Sequence, residues 1–152
     1  MKKIMALLLA VGVIFLAGCG SSAKTADLNA VSEALFSQYN LDEMMRLSED
    51  DLLDLYGIKA DDLKQYVALI AKSSTSADEI LLFEAKDADA AAYIKGKLDS
   101  RYQSKLNEAK DYLPDEYTKI SACKVEASGN FVSLIVSSDA EGMTKLYQAA
   151  FK

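Results

Sequence analysis

From Leu28 onward, the spacing of apolar residues sorts the chain into helices and strands. Leu28, Val31, Leu35 and Tyr39 recur at three and four, with Phe36 beside them, which predicts a helix from about Asp27 to Tyr39. A second, short helix follows Ser48. Ser48-Glu49-Asp50-Asp51 has the capping-box form, Leu52, Leu53 and Leu55 supply the apolar side, and Gly57 ends it. Leu63 to Ala71 is apolar on both alternations through its centre, as in a strand covered on two faces, although Asp61-Asp62 would also suit a helix start. A polar loop, Lys72 to Asp78, leads into Glu79-Ile80-Leu81-Leu82-Phe83-Glu84-Ala85, a clearer strand. Asp87 then caps a long helix whose stripe is Ala91, Ile94, Leu98, Tyr102, Leu106 and Ala109.

The single proline, Pro114, has acids behind it and suits the first position of a one-turn helix. Ile120 to Ala127 and Phe131 to Ser137 flank Ser128-Gly129-Asn130, the strongest hairpin signal in the chain. Asp139 caps a last helix with Met143, Leu146, Tyr147, Ala150 and Phe151 on one face. A hairpin and helix over 63–109 is thus followed by another over 120–151. The expected fold is α+β: N-terminal helices, then two hairpin-plus-helix units forming a four-stranded antiparallel sheet with the helices on one face.

The first residues follow a different pattern. Lys2-Lys3 precedes an almost wholly apolar run from Ile4 to Leu16, and small residues follow. Even extended to Gly18, that run falls short of the roughly 20 residues that span a bilayer core. It closes on Leu16-Ala17-Gly18-Cys19, which resembles the bacterial lipobox. The resemblance implies cleavage before Cys19, diacylglycerol on its sulfur and often an acyl chain, such as palmitate, on the new amino group. Two chains at about 0.8 kcal/mol per buried CH2 hold a protein stably where one does not. The expected organisation is a lipoprotein signal peptide over 1–18, a lipidated flexible tether over 19–26 and one α+β domain over 27–152. The expected location is the extracytoplasmic face of the cell membrane.

Composition narrows the chemistry. Removing Lys2 and Lys3 from 17 basic residues leaves 15 against 23 acidic ones, a net charge of −8 for the mature chain. Such a chain repels the phosphate backbone and offers no basic cluster, so nucleic acid is not an expected partner. The absence of histidine excludes Ser-His-Asp and Cys-His catalysis, HExxH zinc sites and His-ligated haem. With Cys19 modified, Cys123 has no intramolecular partner. It shares a strand alternation with Val125 and Ala127, which suits a buried, inert thiol. The acids Glu49-Asp50-Asp51-Asp54 and Asp61-Asp62 lack the spacing and glycine of a calcium loop, and helix starts explain three of them. No phosphate loop, dinucleotide fingerprint, CxxC pair or nucleophile elbow is present, so no cofactor and no metal are expected.

Three segments carry a family resemblance. Ser76-Ala77-Asp78-Glu79-Ile80, Tyr112-Leu113-Pro114-Asp115-Glu116-Tyr117 and Gly129-Asn130 together resemble the Gram-positive bacterial lipoproteins grouped as domain of unknown function 4358. The likeness runs from about Leu28 to Phe151. It implies a Firmicutes-type cell surface and an α+β fold, and it brings no biochemical activity with it.

Within these motifs, Glu79, beside Asp78 and ahead of an apolar strand, is suited to bind a cationic or hydroxyl ligand or to take a proton. Its plainer role is a strand-edge acid satisfied by a backbone N–H or a nearby Lys. Tyr112, Glu116 and Tyr117 suit an aromatic-acidic recognition patch; the plainer role for Tyr112 is packing under the long helix. Glu79, Tyr112 and Glu116 are the candidate binding residues. Three functions fit: a non-enzymatic binding or accessory module for an envelope protein or polymer, a small-ligand carrier, or a carboxylate-based enzyme acting on envelope glycans. The last needs two acids about 5–9.5 Å apart across a cleft. A mature chain of 134 residues, after the first 18 of 152 are removed, is short for a two-lobed solute receptor.

Overall fold

The computed structural model describes residues 24–152; Cys19, the segment expected to be a signal peptide and most of the expected tether lie outside them. The described chain runs α1 (Leu28–Gln38), β1 (Met44–Arg46), α2 (Glu49–Tyr56), a 3-10 turn (Ala60–Asp62), β2 (Leu63–Ala71), β3 (Glu79–Ala85), α3 (Ala88–Tyr112), α4 (Pro114–Ser121), β4 (Val125–Ser128), β5 (Phe131–Val136) and α5 (Ala140–Ala149). Asp27 caps α1 by accepting from the N–H groups of Asn29 and Ala30. The capping box at Ser48 and Asp51 is complete, and Gly57 ends α2 at φ 67°, in the left-handed region. Asp87 accepts from Ala90 N–H at the start of α3. Gly129 stands at φ 60° in the two-residue loop between β4 and β5, the place where a hairpin turn needs that conformation.

All strands pair antiparallel, in the order β1-β2-β3-β5-β4. The sheet has five strands rather than four. The addition, β1, is three residues long and pairs Met45 with Ile70, too short a run to show a period of its own. The helices also divide between two faces instead of sharing one. On one face, α2, α3 and α4 pack Leu52, Ile94, Leu98 and Ile120 against Leu81, Phe83, Val132 and Leu134. On the other, α1 and α5 pack Leu28, Leu35 and Met143 against Leu69, Ile80, Leu82 and Ile135. The reason is written into β3 and β5. Both bury consecutive residues, and a strand that is apolar on both alternations needs cover on both sides.

Four local expectations also change. Ile120 ends a helix rather than opening a strand. With Pro114 at its first turn, α4 runs eight residues, two turns rather than one. Asp139 stands at the N-cap of α5 but makes no side-chain capping bond; its own N–H donates to Ser137 Oγ. Tyr112 does not pack under the long helix; it is 84% exposed at the end of α3.

Candidate functional site

The strand phase of β3 decides where Glu79 goes. Residues 79, 81, 83 and 85 face the α3 side, so the carboxylate is carried under the long helix and is fully buried. On α3, Ile94, Leu98, Arg101 and Lys105 continue one stripe at spacings of four, three and four. That places two cations one helical turn apart above a buried acid. Glu79 Oε1 accepts from Tyr56 Oη at 2.5 Å and from Arg101 Nε at 3.2 Å. Glu79 Oε2 meets Lys105 Nζ at 3.4 Å as an ion pair without hydrogen-bond geometry. Lys105 Nζ donates to Ala77 O at 2.7 Å, and the Arg101 guanidinium lies 5.7 Å from the centre of the Tyr56 ring. Burial, then the neighbouring Glu79 charge, pushes the Tyr56 hydroxyl far above its ordinary range. Burial also lowers Lys105, with the Glu79 charge opposing that shift and the Arg101 charge adding to it.

Glu116 completes a second group on the other side of the same loop. Its Oε2 accepts from Ala77 N–H at 2.6 Å and from Lys119 Nζ at 2.9 Å. Lys119 also donates to Asp78 Oδ1 at 2.7 Å. Desolvation alone would raise the Glu116 carboxyl, yet these two hydrogen bonds and the Lys119 and Lys105 charges hold it below its ordinary range. The same two acids raise Lys119 against its own burial. Glu79 and Glu116 are therefore joined through the backbone of Ala77-Asp78, one on either side of it. Tyr112 is not part of this arrangement, since its ring stands in solvent. Tyr117 is 38% exposed.

Of the three groups that meet Glu79, only Lys105 fits the plainer role of an acid satisfied by a backbone N–H or a nearby Lys, and the acid is in the core and not at a strand edge. Its partners Tyr56, Arg101 and Lys105 were not foreseen. The available signal was a pair of cations at core spacing on α3, which requires a buried counter-charge. Between α3 and the 73–78 loop lies a pocket of about 240 Å³, lined by Arg101 and Lys105 among others. A wider concavity, about 780 Å³, is an open groove at the β4 edge between α4 and α5. Its rim holds the exposed pairs Lys124–Glu126 and Lys145–Glu141. Cys123 lines it as a buried free thiol that donates to Lys119 O, and burial raises its pKa. Among the described residues, no cluster of acids, cysteines and histidines is arranged to hold a metal ion, and no helix is long and apolar enough to cross a membrane.

No curated protein and no solved structure matches the chain. A family does match, over residues 37–137, a span that contains the 76–80 and 112–117 motifs and the Gly129-Asn130 turn. Most of α1 and all of α5 lie beyond it. With that match covering most of its length, the chain belongs to the family described as Domain of unknown function (DUF4358).

Proposed function

We propose that the protein is a surface lipoprotein, held on the extracytoplasmic face of the membrane through lipid on Cys19, and that its domain is a non-enzymatic binding or accessory module of the envelope. One observation carries the second half of this reading. Three of the four acids in the family motifs are engaged by protein groups: Glu79 by Tyr56, Arg101 and Lys105, and Asp78 and Glu116 by Lys119. A general acid or base must exchange protons with a substrate, and a carboxylate clamped between cations inside the fold is poorly placed for that. The same clamp makes a rigid platform that holds the 73–78 loop and α4 in one geometry, as recognition surfaces require. The exposed Tyr112, with Tyr117 beyond Pro114, supplies aromatic area of the kind enriched at protein contacts.

Anchoring and recognition are tested separately. Cys19→Ser should release the protein from the membrane fraction and abolish incorporation of labelled palmitate; retention of both would end the lipoprotein reading. A crosslinking pull-down from native membranes should recover a specific envelope component, and Tyr112→Ala with Tyr117→Ala should lose it. Undiminished recovery with both tyrosines removed would exclude that segment as the contact.

A further inference from the structure

We infer that the pocket between α3 and the 73–78 loop binds a carboxylate carried on a small apolar body, with Arg101 as the residue that receives it. The inference deepens the binding-module reading and rests on it. Arg101 is held on two sides: Nε is bound to Glu79 Oε1 at 3.2 Å and the guanidinium lies over the Tyr56 ring at 5.7 Å. Among the described residues Nε makes its one hydrogen bond to a carboxylate, the Tyr56 hydroxyl also neighbours the guanidinium, and the side chain remains 35% exposed and lines the pocket. A fixed guanidinium presenting its Nη pair is the geometry that takes a carboxylate by two parallel hydrogen bonds.

The local charge favours the same ligand. One carboxylate, Glu79, stands between two cations, Arg101 and Lys105, while Lys119 is matched by both Asp78 and Glu116. A negative group beside Arg101 would give it a counter-charge that it does not share with Lys105, and it would relieve the repulsion between Arg101 and the buried Lys105. Glu108 also lines the pocket and is exposed, as does Asp78, and these acids penalise a dianion more than a monoanion. That selects carboxylate over phosphate. The remaining wall includes Ile70, Ala109, Leu113 and Ile120, which suits an aliphatic group behind the carboxylate. A peptide ending in an apolar residue and a free short-chain acid share this chemistry.

The test is calorimetric titration of the full chain in a non-ionic detergent with isovalerate, its neutral isostere isovaleramide, N-acetylvaline and inorganic phosphate. Isovalerate should bind with a dissociation constant on the order of 1 mM. Isovaleramide should bind at least tenfold more weakly, and phosphate more weakly than isovalerate. Tighter binding of N-acetylvaline than of isovalerate would identify the ligand as a peptide end, and the reverse order a free acid. Arg101→Lys, which keeps the charge beside Glu79 but loses the fork, should weaken isovalerate at least tenfold. If that variant does not fold, Glu108→Gln serves instead and should tighten isovalerate severalfold. Equal binding of acid and amide, preference for phosphate, a folded Arg101→Lys with unchanged affinity, or no effect of Glu108→Gln would each overturn the inference. None of these outcomes bears on the Cys19 or pull-down tests, so a failure of this inference is distinguishable from a failure of the reading it rests on.

Discussion

At the scale of single residues, Glu79 is the most consequential side chain in the described structure. It is fully buried, and two cations and a tyrosine hydroxyl meet its two oxygens. Removing one member of a buried pair leaves the other charge without compensation, whereas replacing both by apolar groups is often neutral. Glu79→Gln should therefore lower the unfolding free energy by about 3 kcal/mol. The double variant Glu79→Gln with Lys105→Met should recover part of that loss. Urea denaturation measures both, and a single-variant loss below about 1 kcal/mol would mean that water screens the pair. Tyr56→Phe removes one donor from Oε1 but leaves Arg101 in place, so its cost should fall nearer the lower end of roughly 1–3 kcal/mol for a buried group losing its partner.

Glu116 gives the residue scale its pH dependence. Its carboxyl is held below the ordinary value in the folded protein by Lys119 and Ala77 N–H. A depressed folded pKa contributes stability that is present above the unfolded value and is lost as pH falls through the folded one. The unfolding midpoint in urea should therefore drop as pH is lowered from about 5, and Glu116→Gln should make that drop shallower. An identical pH profile in the variant would remove Glu116 from the account.

At the scale of elements, what ends each segment matters more than what fills it. Gly57 closes α2 at φ 67°, and a Cβ built there would come within 3.2 Å of Lys97 Nζ, the mobile end of a side chain. The cost of Gly57→Ala should then be mostly conformational, roughly 1–2 kcal/mol, read from thermal or urea unfolding. A neutral substitution would show that the chain can leave the left-handed region there. The capping residues of α2 and α3 were legible in the sequence because a cap depends on residues only two or three apart. The bounds of β2 and β3 were legible for a similar reason, since Lys72 to Asp78 is too polar to continue either strand. The segment around Ile120 was not, because an apolar residue before a strand reads the same whether it ends a helix or opens the strand. Pro114 marks where α4 begins but carries no information about its length.

At the scale of the whole molecule, the two-sided cover of β3 sets the order of stability. β2, β3 and β5 form the centre of the sheet, and β1 and β4 form its edges. Hydrogen exchange should be slowest in Leu81–Phe83 and Val132–Leu134 and faster by orders of magnitude in Met44–Arg46, where opening exposes little apolar surface. Equal protection of β1 and β3 would indicate that the edge is covered by something further. The long helix links this core to the candidate site, because Ile94 and Leu98 anchor the same helix face that carries Arg101 and Lys105 one and two turns on.

Most of the helix and strand segments, the antiparallel pairing of the sheet and the motifs that mark the family were already readable from the residues alone. Each of these depends on residues close together in the chain, through period, caps and turn chemistry. Only the tertiary structure decided that the helices occupy both faces, that a three-residue strand joins the sheet, and that Glu79 meets Tyr56, Arg101 and Lys105 while Tyr112 stands apart. Those contacts join residues more than twenty positions distant. Their partners follow from strand order and helix placement, which no local period encodes, so a buried acid can be recognised in the sequence before the groups that neutralise it can be named.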